Sequence, residues 1–370
     1  MKYCKKCLMP NTRPRVVFDE NGVCNACNYA ETMKNKIIDW QERENELRAL
    51  LDVHRRDDGY WDCIIPWSGG KDSTANAIKL KTEYNMNPLL VTFNPLIPTE
   101  VGEHNRRILL EYGFDSIYIN TNAKVSRHLA RRFFIERGNP KVHWDAGINC
   151  PLIRVATNYK IPLVFYSEHG ETEYGGNKLH DKSDMIRDFS EVLENMIGDD
   201  PRNWVDDVVS EKDLNHYIYP YLEDVQKADV KAVYMSYFFK WDQWSNYEYV
   251  KKHIDFQESP CGRSEGTFTR HDSLDDKIDD LYYYMQYVKF GFGRAIRDAS
   301  RMIQNGHLDR GEGLELCRKY DGEFPRRHLK EVLEYLNLTE AEFDEIVDKH
   351  RNKEIWTKES GCWKLRHPLK

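Results

Sequence analysis

Short apolar runs separated by longer amphipathic stretches mark out the middle of this chain. Strands are predicted at residues 61–67, 88–93, 116–119 and 162–167, with a fifth at 216–219. Helices are predicted between them, near residues 74–84, 101–112, 125–137 and 151–158. Strands that alternate with helices typically build a parallel sheet with helices on both faces, so we expect an α/β domain over residues 59–238. A polar stretch at about 175–215 is predicted to be an insertion in that domain.

The segments on either side of this domain differ from it in character. Residues 1–29 are rich in cysteine, and residues 30–58 carry apolar side chains at helical spacing, which predicts a linking helix. Aromatic and basic residues alternate from residue 239 onward, and Thr339 and Glu342 have the spacing of a helix capping box. We expect residues 239–370 to form a mainly helical C-terminal domain.

The composition excludes some classes of protein. Of the 370 residues, 31% are charged and 40% are hydrophobic, and the net charge is −7. That acidic balance provides no electrostatic footprint for nucleic acid. No apolar run reaches the roughly 18 residues of a membrane span, and the N-terminus lacks the apolar segment of a signal peptide. We therefore expect a cytoplasmic protein, without membrane insertion, whose cysteines are reduced or bound to metal.

Four of the nine cysteines form two C-x-x-C pairs near the N-terminus, Cys4 with Cys7 and Cys24 with Cys27. Each pair offers two thiolates on one tight turn, and the loop between the pairs allows both to reach one tetrahedral ion. Two redox or disulfide pairs are the alternative, which a reducing cytosol disfavours. We predict a closed, structural Zn²⁺ site in a zinc ribbon over residues 1–29.

The sequence Ser68-Gly69-Gly70-Lys71-Asp72-Ser73 lies between the first predicted strand and the first predicted helix. Glycines let backbone N–H groups approach phosphate oxygens, and a helix start adds unpaired N–H groups and a partial positive charge. The hydroxyls of Ser68 and Ser73 can donate hydrogen bonds, and Asp72 can hold a Mg²⁺ that bridges phosphates. A glycine turn before a capped helix is the alternative. The strand–loop–helix context favours a phosphate-binding loop, distinct from the common G-x-x-x-x-G-K-S/T loop.

Two further segments follow predicted strands, so we expect them at the same edge of the sheet. Asn94 follows the second strand, where the backbone can meet an adenine edge, although a plain turn fits the sequence as well. Glu168, Glu171, Glu173 and Tyr174 follow the fourth strand. Three acids at a strand end can hold Mg²⁺ or bind a polar substrate, whereas a solvated acidic loop is the alternative.

Three basic residues of the aromatic C-terminal region are candidates for contact with a phosphorylated ligand. Lys240, Lys289 and Arg294 lie close to aromatic residues in the sequence. Basic and aromatic residues together can bind nucleic acid, or they can form a helical core with a few cations directed at phosphate. The acidic net charge favours the second interpretation, so we predict that these residues close over ATP or pyrophosphate.

The motif at residues 68–73 resembles the S-G-G-x-D-S signature of the PP-loop ATP pyrophosphatases, which cleave ATP between its α and β phosphates. Further motifs in the same order extend the resemblance, over nearly the whole chain, to the N-acetyl sugar amidotransferase family. They are the two cysteine pairs with Thr12-Arg13-Pro14, the segment from Glu168 to Gly175, Phe239-Lys240-Trp241, Lys289-Phe290-Gly291-Phe292-Gly293-Arg294, Lys319-Tyr320-Asp321-Gly322 and Ile355-Trp356. The family has an asparagine soon after the glutamate where this chain has His169, which leaves the role of His169 open.

The resemblance implies conversion of a sugar acetamido group into an acetamidino group for a bacterial lipopolysaccharide or flagellar glycan. The amide oxygen would attack the α-phosphate of ATP, and ammonia would then displace AMP from an adenylated imidate. Asp72 with Mg²⁺, Lys71 and Lys240 would act on the phosphates, without a protein nucleophile. Neither Cys150 nor Cys261 lies in a glutaminase motif, so a separate glutaminase subunit is expected to supply ammonia to the N-acetylated sugar.

Two other functions are open from the sequence. The first is tRNA thiolation with Cys150 as a sulfur carrier, because a cysteine at a helix start can have a lowered pKa. The second is a non-catalytic nucleotide sensor that the cysteine segment attaches to a partner. Thiolation would require binding of tRNA, whereas a sensor would not need Asp72 for turnover.

Overall fold

A five-stranded parallel sheet forms the centre of the protein in a computed structural model that describes residues 1–176 and 182–369. The strands are β1 (Cys63–Pro66), β2 (Pro88–Phe93), β3 (Asp115–Ile119), β4 (Leu163–Tyr166) and β5 (Lys231–Tyr234), in the order β3-β2-β1-β4-β5. Ile64 of β1 pairs with Leu89 of β2 and with Val164 of β4, so β1 is central. The predicted α/β class with a parallel sheet is confirmed.

Strand β1 is buried on both faces, as is usual in a parallel sheet. Cys63 and Ile65 join one hydrophobic core with helix Lys71–Thr82, whereas Ile64 joins a second core with helix Cys150–Tyr159. Successive strand residues point to opposite faces, so helices cover both sides of the sheet. This double burial explains why the strand is an unbroken apolar run in the sequence.

Helices connect the strands and also lie before β1 and after β5. The helices before β4 are Asn25–Asn28, Tyr29–Ile37, Trp40–His54, Lys71–Thr82, Glu100–Glu111, Ala123–Arg137, Val142–Gly147 and Cys150–Tyr159. The helix Gly170–Tyr174 directly follows β4. Further short helices before β5 are Lys182–Met185, Phe189–Val192, Leu193–Ile197, Pro201–Trp204, Glu211–Leu214 and Leu222–Lys227. After β5 come Met235–Phe238, Gln243–His253, Asp279–Phe290, Arg294–Gln304, Arg310–Tyr320, Leu329–Leu336 and Glu340–Lys349.

The predicted fifth strand at residues 216–219 is wrong. Residues 216–217 form a turn and residues 218–219 lie outside helices and strands, and β5 lies downstream at Lys231–Tyr234, paired with β4. The apolar side chains of this segment pack into the core instead. The buried ring of Tyr217 contacts the rings of Phe93 and Trp204, at centroid distances of 6.2 and 6.0 Å. Strand β5 lies at the edge of the sheet and its first residue is exposed. The run of apolar residues that would predict this strand from the sequence is therefore short.

The predicted insertion at about 175–215 packs onto the α/β domain. Residues 177–181 lie outside the described part of the chain, and most of the rest forms the short helices between β4 and β5. Val192, Trp204 and Leu214 are buried there in one core with Phe133 of helix Ala123–Arg137. The described part of this segment therefore contributes to the core of the domain.

The linking helix predicted over residues 30–58 is two helices. Tyr29–Ile37 has the wider π-helical winding, and Trp40–His54 is α-helical. The second helix begins where the Asp39 side chain accepts hydrogen bonds from the backbone N–H groups of Gln41 and Glu42. An aspartate in this position satisfies the unpaired N–H groups of a new helix, which explains the break.

The C-terminal region is mainly helical, as expected. The predicted capping box is present, since the Glu342 N–H donates to Thr339 Oγ1 at 3.2 Å and the Thr339 N–H donates to Glu342 Oε2 at 2.8 Å. An antiparallel hairpin of β6 (Trp356–Glu359) and β7 (Cys362–Leu365) was not anticipated from the sequence. No helix in the described ranges has the length and apolar character needed to cross a membrane.

Candidate functional site

The strand order changes direction between β1 and β4. The chain builds β1, β2 and β3 to one side and then adds β4 and β5 on the other side of β1. Connections that leave neighbouring parallel strands in opposite directions open a crevice beyond their carboxyl ends. The segments that border this crevice are the phosphate-loop candidate after β1 and the acidic segment after β4.

The glycine pair gives the loop after β1 its shape. Gly69 has a φ of +91°, and a Cβ at this position would lie 2.8 Å from Arg106 Cγ. The Gly70 N–H donates to Ser68 Oγ at 3.2 Å, and Arg106 Nη1 donates to the Ser68 carbonyl oxygen at 3.1 Å. Glycine is therefore required at position 69 both for the left-handed backbone and for the close approach of Arg106.

Helix Lys71–Thr82 begins directly after the glycine pair. Its first turn closes with the hydrogen bond from the Thr74 N–H to the Gly70 carbonyl oxygen, at 3.1 Å. The N–H groups of Lys71, Asp72 and Ser73 therefore have no acceptor within the helix and lie at the positive end of its dipole. This arrangement is suited to binding phosphate.

The loop and the acidic segment face one cavity of about 550 Å³, which we call the loop cavity. Its lining includes Ser68, Gly70, Lys71, Asp72, Ser73 and Glu168, joined by His271 and Asp272 from the C-terminal region. The structure thus brings the predicted phosphate-loop residues together with one of the predicted acids, Glu168. Gly69 is the one loop residue outside the described lining.

Lys71 is almost fully buried between two carboxylates. Its Nζ lies 2.9 Å from Asp72 Oδ2 and 2.9 Å from Asp272 Oδ1. Burial lowers the pKa of Lys71, but Asp272 and Asp72 outweigh that effect and hold the pKa above its usual value. Burial likewise raises the pKa of Asp272, yet Lys71, Arg297 and Arg294 hold it well below its usual value. The Lys71 ammonium and the Asp272 carboxylate are therefore charged near neutral pH.

Asp272 is a site residue that the sequence analysis missed. It lies 200 positions from Asp72 in sequence, outside helices and strands, and no motif marks it. Its Oδ2 accepts from Arg297 Nη2 at 2.5 Å, and Arg294 Nη2 donates to its carbonyl oxygen. Arg294, which was expected to close over ATP, is fully buried behind Asp272.

Asp72 and Glu168 are neighbouring carboxylates in the loop cavity. Asn246 Nδ2 donates to Asp72 Oδ1 at 2.9 Å and so fixes that side chain from the helix Gln243–His253. Burial, and after it the charge of Asp72, raise the pKa of Glu168. The two groups offer carboxylate oxygens of the kind that Mg²⁺ prefers.

The other residues of the acidic segment have different surroundings. Glu171 accepts two hydrogen bonds from Arg15, at 2.7 and 2.6 Å. Glu173 is buried, with its Oε2 2.9 Å from Lys34 Nζ. Both glutamates thus bind the N-terminal part of the chain, and only Glu168 of the three lines the loop cavity.

Tyr174 lines a second cavity of about 430 Å³ that adjoins the loop cavity. Its hydroxyl donates to Glu168 Oε1 at 3.4 Å and accepts from Gln243 Nε2 at 3.0 Å. Lys289 also lines the second cavity, and its Nζ donates to the Arg137 carbonyl oxygen at 2.9 Å. Two of the predicted ligand-binding residues thus lie beside the loop cavity and not in it.

Asn94 and Lys240 lie outside the described lining of both cavities. Asn94 Nδ2 donates to Asn120 Oδ1 at 2.7 Å, and its Oδ1 accepts from the Tyr118 hydroxyl at 2.8 Å. Lys240 is exposed. The structure therefore does not bring either residue to the phosphate loop. Their predicted roles rest on the sequence alone.

The four N-terminal cysteines converge on one buried point. Their sulfur atoms all lie within 4.8 Å of one another, with 3.9 Å between Cys4 and Cys27 and 3.7 Å between Cys7 and Cys24. A tetrahedral zinc ion with bonds of about 2.3 Å to sulfur gives sulfur–sulfur distances of about 3.8 Å. Backbone N–H groups of Lys6 and Cys24 donate to Cys4 Sγ at 3.4 and 3.2 Å, as suits a thiolate. The donor set therefore fits one metal ion.

Residues 265–370 match the family model "LPS biosynthesis protein WbpG-like, C-terminal domain". An uncharacterised protein of Methanocaldococcus jannaschii, MJ1599, is 24% identical over 119 residues, which are 32% of this chain and 42% of that protein. Among solved structures, the U34-tRNA thiolase NcsA from Methanococcus maripaludis with its 4Fe–4S cluster is similar at a TM-score of 0.33 and 15% identity, over 91% of this chain and 90% of that chain. The C-terminal part of this chain thus resembles a domain of lipopolysaccharide biosynthesis proteins.

Cys150 does not have the properties expected of a sulfur carrier. It begins helix Cys150–Tyr159, as predicted, but it is fully buried and lies outside the described lining of both cavities. Burial raises the pKa of its thiol to about 12, the opposite of the lowered pKa that the thiolation alternative invoked.

We expect Gly69→Ala to weaken nucleotide binding at this loop. The added Cβ meets Arg106 Cγ at 2.8 Å and requires a left-handed alanine, so the loop must move. Gly113→Ala is the matched control, because Gly113 has a φ of +104° and open space around it. Isothermal titration should give at least a roughly tenfold weaker ATP affinity for Gly69→Ala only, consistent with lost hydrogen bonds to charged phosphate. Equal ATP affinity in both variants would contradict this assignment of the loop.

We expect the purified protein to hold one metal ion per chain at the four cysteines, and Cys24→Ser to lose it. The N-terminal segment shares one hydrophobic core with helix Arg294–Gln304, and the four cysteines are part of that core, so the melting temperature should fall with loss of the metal. Cys362→Ser is the control, because Cys362 is exposed in the C-terminal hairpin. Elemental analysis and thermal unfolding test this, and unchanged metal content in Cys24→Ser would refute it.

Proposed function

We propose that this protein is an ATP-dependent, AMP-forming amidotransferase that converts a sugar acetamido group into an acetamidino group. The observation that carries the proposal is the placement of Asp72 and Glu168, beside the phosphate loop, in one cavity at the junction of β1 and β4. The match of residues 265–370 to a lipopolysaccharide biosynthesis domain supports a sugar acceptor. The resemblance of the motif at residues 68–73 to the PP-loop signature supports cleavage of ATP between its α and β phosphates.

The proposed chemistry has two steps. The acetamido oxygen attacks the α-phosphate of ATP, the bond between the α-phosphorus and the bridging oxygen breaks, and pyrophosphate leaves. Ammonia then adds to the carbon of the adenylated imidate, and AMP departs with the former amide oxygen. Oxygen is thereby replaced by nitrogen at the acetamido carbon, and no protein nucleophile takes part.

The chain supplies charge and orientation for the first step. The N–H groups of Lys71, Asp72 and Ser73 at the helix start can hold the departing pyrophosphate. Lys71 can neutralise negative charge that develops there, and Asp272 of the C-terminal region positions its ammonium. Mg²⁺, for which Asp72 and Glu168 offer carboxylate ligands, would supply further neutralisation of the phosphates.

We also propose that ammonia comes from a separate glutaminase subunit. Burial raises the pKa of the Cys150 thiol, which makes it a poor nucleophile. The four N-terminal cysteines surround one point and are suited to metal. Neither group provides the activated thiolate that hydrolysis of glutamine requires.

The reaction products test the proposed function. With ATP, ammonium and an acetamido sugar, we expect AMP, pyrophosphate and a sugar that is lighter by about one dalton, because NH replaces O in the mechanism above. Asp72→Asn should lower kcat on the order of a hundredfold, the usual scale for removing one electrostatic contribution. Asp57→Asn is the control, because Asp57 is exposed. Formation of ADP and orthophosphate, or normal turnover in Asp72→Asn, would overturn the proposal.

The nitrogen source has its own test. The purified chain should form the amidino product with ammonium and not with glutamine, because neither Cys150 nor Cys261 lies in a glutaminase motif. Mass spectrometry with ¹⁵N-ammonium and, separately, ¹⁵N-amide glutamine measures incorporation directly. Equal incorporation from both sources would refute the separate glutaminase and leave the AMP-forming step standing.

A further inference from the structure

The second cavity lies between the four-cysteine segment and the C-terminal helices. Arg13 comes from the loop between the two cysteine pairs, Lys289 and Arg301 come from helices Asp279–Phe290 and Arg294–Gln304, and Tyr174 comes from the acidic segment. Arg301 lines the loop cavity as well. The two cavities therefore adjoin, with Arg301 at their junction beside the contact between Tyr174 and Glu168. The other residues that line both cavities are Asp145, Met196, Tyr282 and Tyr283.

Three cations of the second cavity have no carboxylate partner among the described residues. Arg13 Nη1 donates to the carbonyl oxygen of Tyr174, and Lys289 Nζ donates to a backbone carbonyl oxygen at 2.9 Å. The Arg301 guanidinium lies 3.6 Å from the centroid of the Tyr174 ring, and its Nη1 donates to the neutral side chain of Gln243 at 3.3 Å. By contrast, the Arg15 side chain in the same lining is paired with Glu171.

The described lining of the second cavity carries more basic than acidic side chains. Burial, and after it the neighbouring Arg301, lower the pKa of Arg13 to about 10, so Arg13 still carries its charge at neutral pH. Asp145 is the one carboxylic acid in the described lining, and burial raises its pKa to about 7. Glu171 acts on the charge of Arg13, and Glu168 and Glu173 act on that of Arg301, but none of these carboxylates forms an ion pair with them in the described part of the chain. Partly buried cations without a direct ion pair are unfavourable, and an anionic ligand would provide one.

We propose that the second cavity binds the acceptor through an anionic group, a carboxylate or a phosphate, held by Arg13, Arg301 and Lys289. This inference rests on the proposed function, because it treats the loop cavity as the ATP site. An acceptor held in this way can extend past Tyr174 and place its acetamido group at the junction with the loop cavity. The four-cysteine segment then supplies a substrate-binding arginine in addition to its own metal site.

Binding measurements with four related sugars test this inference without any turnover. The probes are N-acetylglucosamine, its 1-phosphate, the corresponding N-acetylated uronic acid and UDP-N-acetylglucosamine. Isothermal titration against the wild-type protein should give binding of at least one anionic probe about ten- to hundredfold tighter than binding of the neutral sugar, the range for hydrogen bonds to a charged group. The uronic acid and the 1-phosphate distinguish a carboxylate from a phosphate as the recognised anion.

Variants assign the effect to the named residues. Arg13→Ala and Lys289→Met should each lower the affinity for the anionic probe to near that for the neutral sugar. The affinities for the neutral sugar and for ATP should stay unchanged. Arg13→Lys should restore part of the loss, because the charge remains while the forked geometry does not. Arg318→Ala is the matched control, since Arg318 is exposed and pairs with Glu315.

Two results would overturn the inference. One is equal or undetectable binding of the neutral and anionic probes to the wild-type protein. The other is tighter binding of an anionic probe that Arg13→Ala and Lys289→Met leave intact. Either result with AMP still formed from ATP refutes the anion site alone, whereas ADP formation refutes the proposed function itself.

Discussion

A buried ammonium between two carboxylates connects the halves of this protein. Lys71 belongs to the helix after β1, and Asp272 belongs to the C-terminal region, with 2.9 Å between their charged atoms. Removing Asp272 would leave the buried Lys71 ammonium with Asp72 alone, and removing Lys71 would leave Asp272 to its arginine partners, so either change would destabilise a buried charge network. The same contact therefore docks the C-terminal region onto the sheet and sets the position of the lysine in the phosphate loop. This one contact therefore serves both stability and site geometry.

A second buried ion pair attaches the N-terminal segment to the rest of the protein. Lys34 and Glu173 are both almost inaccessible to solvent, and Lys34 also donates to the carbonyl oxygen of Trp241. Arg15 and Glu171 add a more exposed pair between the same segments. Acids that the sequence suggested for substrate binding thus attach the cysteine segment to the end of β4. That attachment closes one side of the second cavity.

The parts of the site that depend on local sequence were predictable. The loop at residues 68–73 requires only a strand, two glycines and a helix start, and the cysteine cluster requires only two close-spaced pairs. Asp272, Arg301 and strand β5 were missed because their roles arise from contacts between distant segments. Lys289 and Arg294 were chosen for their charge, yet a basic residue beside aromatic residues does not reveal which cavity it faces. Long-range packing decides that, as the burial of Arg294 behind Asp272 illustrates.

The junction of the two cavities also bears on the fate of the proposed intermediate. Water that reaches an adenylated imidate returns the original amide and releases AMP, so ATP would be consumed without product. Ammonia must therefore reach the intermediate in a place from which bulk water is largely excluded. Tyr174, Glu168 and Arg301 meet at the junction, with the Tyr174 hydroxyl hydrogen-bonded to Glu168 and its ring covered by the Arg301 guanidinium. A seal made of these side chains would also link acceptor binding to exclusion of water from the junction, because Arg301 lines both the proposed anion site and the loop cavity.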